Sequence, residues 1–167
     1  YGKTAHLTAF GPPPANLDYD RWLGPAALAP YCPARIHKNW RWIMAHGGGT
    51  IMDWCGHHCD IAHWGLGLDR TGPVSAEGTG VIPQGQLWDA PTEYDVDCTY
   101  ADGMVMNVAS KNPGGLKWIG EDRWIYVNRG ESEASDPKLL EHVISDNETR
   151  LYHSRNHIAN FLECIRS

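Results

Sequence analysis

Asp53 and His57 stand four residues apart, so on a helix their side chains lie one turn from each other on the same face. A carboxylate beside an imidazole fixes the ring's tautomer and orientation, which is what a general acid or base needs. Gly56 precedes the imidazole. An interior helix glycine costs about 1 kcal/mol against alanine and often marks a place where another group must approach closely. D-x-x-x-H is a common spacing, and a solvated helix face with an incidental ion pair carries it equally well. Asp60 falls on the same arc. Two turns separate Asp53 from Asp60, roughly 10 Å of helix axis, an unpromising separation for a pair of glycosidase carboxylates.

A second group precedes the helix. His37, Asn39, Trp40 and Arg41 sit in the run His37-Lys-Asn-Trp-Arg-Trp42 and combine a ring base, an amide, an indole and a guanidinium. Hydrogen bonding to hydroxyls with stacking on indole suits a sugar substrate; the same residues could line an interface. Asp53, His57 and His37 also offer nitrogen and oxygen ligands for zinc, whose bound water is acidified to a pKa of about 7. The alternative chemistry is therefore metal-dependent hydrolysis of an activated ester.

These residues need a scaffold. Gly47-Gly-Gly49, Thr50 as a cap and Gly65 and Gly67 as stops bound a helix over 50–65. On a helical wheel Ile51, Met52, Trp54, Cys55, His58, Cys59, Ile61 and Ala62 form its core arc, opposite Asp53, His57, Asp60 and Trp64. Residues 1–35 are proline-broken and read as an irregular arm. Over 74–127 the period becomes two, with strands at Val74–Ile82, Glu93–Tyr100 and Met104–Ser110, and a hairpin from Leu116–Ile119 to Arg123–Val127. Asp102-Gly103 predicts a type I′ turn. Tyr94, Val96, Cys98 and Tyr100 share one face. A closing helix over 153–165 carries the stripe Ile158, Phe161, Leu162 and Ile165. The expected fold is α+β, one domain over 1–167, a mostly antiparallel sheet with helices packed on one face.

The chain has 167 residues, a net charge of −6 and no basic cluster, which argues against nucleic acid and anionic membranes as partners. No apolar run reaches the roughly 20 residues of a membrane span. Five cysteines without a CxxC pair read as free buried thiols. With no recognisable signal peptide, the expected location is cytoplasmic. Eight Trp and seven Tyr against two Phe suit a carbohydrate site, an interface or a Trp-rich core.

Several separated motifs resemble one family. Leu17-Asp-Tyr-Asp-Arg-Trp-Leu-Gly-Pro25, Asn39-Trp-Arg-Trp42, Gly47-Gly-Gly49, Asp53-Trp-Cys-Gly-His-His58, Asp60, Trp64-Gly-Leu-Gly67, Trp124-Ile-Tyr-Val127 and Asn160-Phe-Leu-Glu-Cys-Ile-Arg-Ser167 look like the C-terminal domain of the Gfo/Idh/MocA oxidoreductases. The resemblance implies a large antiparallel sheet that mediates oligomers, sugar or polyol substrates, an acid/base role for His57 and substrate positioning by Asp53. It also implies a nicotinamide cofactor on a separate Rossmann domain. Neither that domain's G-x-G-x-x-G loop nor its E-K-P lysine occurs here, and the family continues beyond the position of Ser167. The expectation is a truncated substrate half, without NAD(P), that does not transfer hydride alone. It should form a homo-oligomer through the sheet face or the Trp-rich arm.

Overall fold

Proline and glycine punctuation divides the first half of the chain into short pieces, and helical periodicity survives over one long stretch only. The computed structural model describes residues 9–167. The chain forms two compact units that divide after Leu116.

In the first unit, α1 (Tyr19–Leu23) begins where the Asp18 side chain accepts from the Arg21 amide at 3.1 Å. Two 3-10 turns follow, Pro33–Arg35 and His37–Trp42. The long helix α2 spans Gly49–Leu66. It starts one residue ahead of the sequence expectation. Gly48, not Thr50, holds the N-cap position, and no side-chain cap bond is made there. Gly67 closes it in the left-handed region.

Residues 9–35 are not a loose arm. Leu23, Cys32, Ala34, Ile36 and Ile43 are buried, as is Arg35, whose Nε donates to the Pro30 carbonyl at 3.2 Å. The Tyr19 ring stacks on Trp22 at 5.7 Å and meets Tyr31 edge-on at 5.3 Å, while Trp22 leans on His46 at 4.7 Å. Prolines limit α-helix here to the five residues of α1 but do not prevent burial: Leu23, Cys32, Ala34 and Arg35 lie within this stretch, and Ile36 and Ile43 follow it.

Strands β1 (Ser75–Val81), β2 (Glu93–Thr99) and β3 (Val105–Ala109) pair antiparallel in that order. Gly78 opposes Val96, and Cys98 opposes Met106. Tyr94, Val96 and Cys98 are half-buried, Tyr100 is buried, and Asp95 and Asp97 between them are exposed, as the alternation predicts. The β2–β3 turn differs from expectation. Asp102 keeps negative φ and only Gly103 reverses, at φ 89°, so the turn is not type I′, which needs both residues reversed. The Gly103 amide donates to the Tyr100 carbonyl at 3.0 Å, and Asp102 is left to accept from the Met104 amide at 3.0 Å.

The second unit holds β4 (Leu116–Ile119, its first residue closing the first unit), β5 (Trp124–Asn128) and β6 (Glu131–Ala134). They pair in chain order as a second three-stranded sheet, with Ile125 opposite Ala134. β6 lies past the expected strand region. Helix α3 (His157–Arg166) starts where the Asn156 side chain accepts from the Ala159 amide at 2.8 Å. Its stripe is exposed rather than packed: Ile158 70%, Phe161 61%, Leu162 43% and Ile165 66%.

Helix and strand are segregated along the chain, so the fold is α+β. The strands form two small sheets in place of the single large one the resemblance implied. Among the described residues no helix is long and apolar enough to cross a membrane.

Candidate functional site on helix α2

Helix α2 has two working faces. Ala62 is buried and Ile51, Cys55, His58, Cys59 and His63 are half-buried, a run at helical spacing that turns toward the protein. Asp53, Trp54, Gly56, His57, Asp60, Ile61 and Trp64 are exposed. The inward arc is narrower than the sequence suggests, because Met52, Trp54 and Ile61 remain outside at 63%, 45% and 43% exposure.

On the outer face Asp53 is paired, but not with His57. The Arg41 Nε lies 3.5 Å from the Asp53 carboxylate, and the same guanidinium sits 5.1 Å over the Trp40 ring. Among the described residues no hydrogen bond or ion pair joins Asp53 to His57. A guanidinium is always charged, and its planar donors match a carboxylate. His57 instead meets the edge of Trp54 at 6.2 Å, and His58 stacks on the same indole at 5.3 Å. The outer face thus carries Asp53, Trp54 and His57, with Arg41 and Trp40 of the preceding 3-10 turn against Asp53.

The other expected residues stand apart from this group. His37 is exposed and opens its 3-10 turn at φ 53°. The Asn39 amide donates to the Ile36 carbonyl at 3.4 Å, and Asp60 is exposed two turns along the helix. The zinc set does not assemble. Asp53, His57 and His37 form no ligand cluster, and no group of three or more His, Cys, Asp or Glu that could hold a metal ion occurs among the described residues. Arg41 occupies the one carboxylate that would anchor such a site.

The inner face carries groups that periodicity alone does not reveal. The His63 ring hydrogen-bonds the Tyr100 hydroxyl, their ring centroids 5.7 Å apart and nearly perpendicular. Cys55 and Cys59 lie one helical turn apart, and their interaction lowers the pKa of Cys55 and raises that of Cys59, with burial adding to the rise at Cys59. Burial, then nearby Cys59, raises Cys98. Burial, then Cys98 and Cys59, raises Tyr100. His46, under the arm, is lowered by burial and by Arg35. The sequence signal for the inner contact was the coincidence of a helical period ending at His63 with a strand period ending at Tyr100.

The family model described as oxidoreductase family, C-terminal alpha/beta domain, of the Gfo/Idh/MocA group matches residues 2–166. The chain belongs to that family. No curated protein and no solved structure matches it.

Gfo/Idh/MocA resemblance implies a nicotinamide dinucleotide, whose pyrophosphate needs open backbone N–H groups at a helix N-terminus. The glycines opening α2 in this Gfo/Idh/MocA domain are committed to protein contacts. A Cβ at Gly47 would meet the Arg41 carbonyl oxygen at 2.8 Å, one at Gly48 would strike the Met52 side chain, and one at Gly49 would meet the Ala90 methyl at 2.7 Å. Gly48 and Gly49 are buried. These residues do not fit a pyrophosphate.

Proposed function

We propose that the outer face of α2 is the substrate side of a two-part oxidoreductase acting on sugars or polyols, with the dinucleotide bound by residues outside this domain. The observation that carries the reading is the exposed Asp53, Trp54 and His57 on the outer face of α2, with Asp53 paired to the half-buried Arg41 of the preceding 3-10 turn. An indole face suits the C–H surface of a sugar ring. His57 would take the proton of the carbinol hydroxyl, and Asp53, held by Arg41, would orient a neighbouring hydroxyl. Alone, the domain binds polyol weakly and transfers no hydride. The zinc-hydrolase reading lacks a third ligand among the described residues.

The test is a titration of the isotope-labelled chain with glucose and myo-inositol, followed by NMR, alongside NAD and NADP. Expected are saturable shifts at Trp54 and His57 with a polyol and none with either dinucleotide. Tight dinucleotide binding by this chain alone, or polyol shifts that avoid α2, would overturn the proposal.

A further inference from the structure

Arg35 is the one charged side chain buried among the described residues, at 9% exposure, and the proposed chemistry does not use it. A buried charge is costly unless it is both paired and hydrogen-bonded. Arg35 makes one side-chain bond, from Nε to the Pro30 carbonyl at 3.2 Å. Among the described residues no carboxylate pairs with it and no ring lies under its guanidinium. Residues 1–8 contain no aspartate or glutamate. Both Nη groups therefore lack a partner among the described residues. They are not sealed off either, since the one sealed and unpartnered side-chain nitrogen there is Trp88 Nε1. The small exposed area of Arg35 thus includes its fork of N–H donors.

The fork is held in place. The Arg35 amide donates to the Cys32 carbonyl at 3.0 Å, and Cys32, Ala34 and Ile36 around it are buried. The Tyr19 hydroxyl donates to the same Pro30 carbonyl at 3.4 Å, so phenol and guanidinium converge on one acceptor. The Tyr19 ring is fixed in turn by Trp22 at 5.7 Å and by Tyr31 at 5.3 Å. A planar guanidinium fixed through Nε leaves two parallel donors that match a carboxylate in bidentate geometry.

One cation sits here, not two. Burial first, and then the Arg35 charge, hold His46 below its ordinary pKa, so that imidazole is neutral at pH 7. A single guanidinium matches a singly charged carboxylate better than a phosphate dianion. The rings of Tyr19, Trp22 and Tyr31 favour a carboxylate carried on a flat apolar body.

We propose that Arg35 anchors a binding site for small apolar or aromatic carboxylic acids, with the Nη fork on the carboxylate and the Tyr19 hydroxyl beside it. Binding here does not rest on the outer-face reading of α2.

The full chain, labelled with nitrogen-15, is titrated with benzoate, with neutral benzyl alcohol and with inorganic phosphate while the Arg35 Nε–H resonance is followed. Expected are saturable movement with benzoate, none with benzyl alcohol, and weaker binding of phosphate than of benzoate. Benzoate should also raise the melting midpoint, as a ligand of the folded state does. Arg35→Met should weaken benzoate at least about tenfold, the worth of a hydrogen bond to a charged group, and remove that rise. The wild-type titration decides the matter even if Arg35→Met folds poorly. Phosphate bound as tightly as benzoate, shifts that spare Arg35, or no saturation in the millimolar range would each overturn the proposal.

Discussion

Glu148 shows how much one exposed carboxylate can be shaped by its neighbours. It accepts from the Ser145 amide and hydroxyl, both at 2.7 Å, and from the His142 ring at 2.9 Å. The Ser145 bonds, then His142, pull its pKa from an ordinary 4.5 down to about 2. A group whose pKa falls on folding adds stability above its unfolded value and loses it as pH drops. The clasp should therefore hold fully above pH 4.5 and let go toward about pH 2. A carbon-13 titration of the Glu148 carboxyl should give that low midpoint, and Glu148→Gln should flatten the pH dependence of stability in that window. A midpoint at the ordinary glutamate value would show that the clasp does not persist in solution. Residue-scale contacts such as this one, or Arg41 with Asp53, were the least legible in the sequence. Spacing gave Asp53 one candidate partner, His57 one turn along; the pairing with Arg41, twelve residues upstream, comes only with the folded 3-10 turn.

At the scale of elements the sequence was more transparent. Glycine stops and helical period placed α2 within about one residue at each end, and alternation placed the buried face of β2. The type of the β2–β3 turn was missed because Asp-Gly admits two solutions: reversal at both residues, or at the glycine alone. Glycine roles also divide by element, and this can be measured. At Gly49, φ is 66° and an added Cβ meets Ala90 at 2.7 Å, so Gly49→Ala should lose at least about 2 kcal/mol from strain and overpacking. Gly56 lies inside α2 with open space around it, so Gly56→Ala should gain about 1 kcal/mol. Urea midpoints of the two variants would separate them. If Gly49→Ala is as stable as Gly56→Ala, the packing described for the start of α2 is wrong. If polyol binding also falls in Gly56→Ala, the glycine serves approach of substrate to His57.

For the whole molecule, the sequence announced α+β but not where the core would sit. Proline-rich segments carry no period, so nothing in residues 9–35 revealed that they hold much of the buried surface; nor could alternation tell that the strands would divide into two sheets. Every residue buried below the surface lies in the first unit, and none of residues 117–167 is buried. The exposed stripe of α3 is the apolar surface most in want of cover. The arm's Trp22 is already flanked by Tyr19 and His46. Self-association through α3 is the expected behaviour, with a second copy as partner. Light scattering on the eluting protein should give more than one chain per particle, and Phe161→Glu should reduce it to one. A monomeric wild type would remove this expectation.

The backbone at His37 has a consequence for the ring it carries. It is the one non-glycine among the described residues with positive φ, 53°, a conformation that costs an L-residue roughly 1–2 kcal/mol and glycine almost nothing. His37→Gly should therefore raise the melting midpoint while deleting an imidazole at the start of the 3-10 turn that carries Trp40 and Arg41. A variant that melts higher and binds polyol less well would mean that this turn trades rigidity for a side chain that meets the ligand; one that melts higher and binds unchanged would mark the histidine as a bystander.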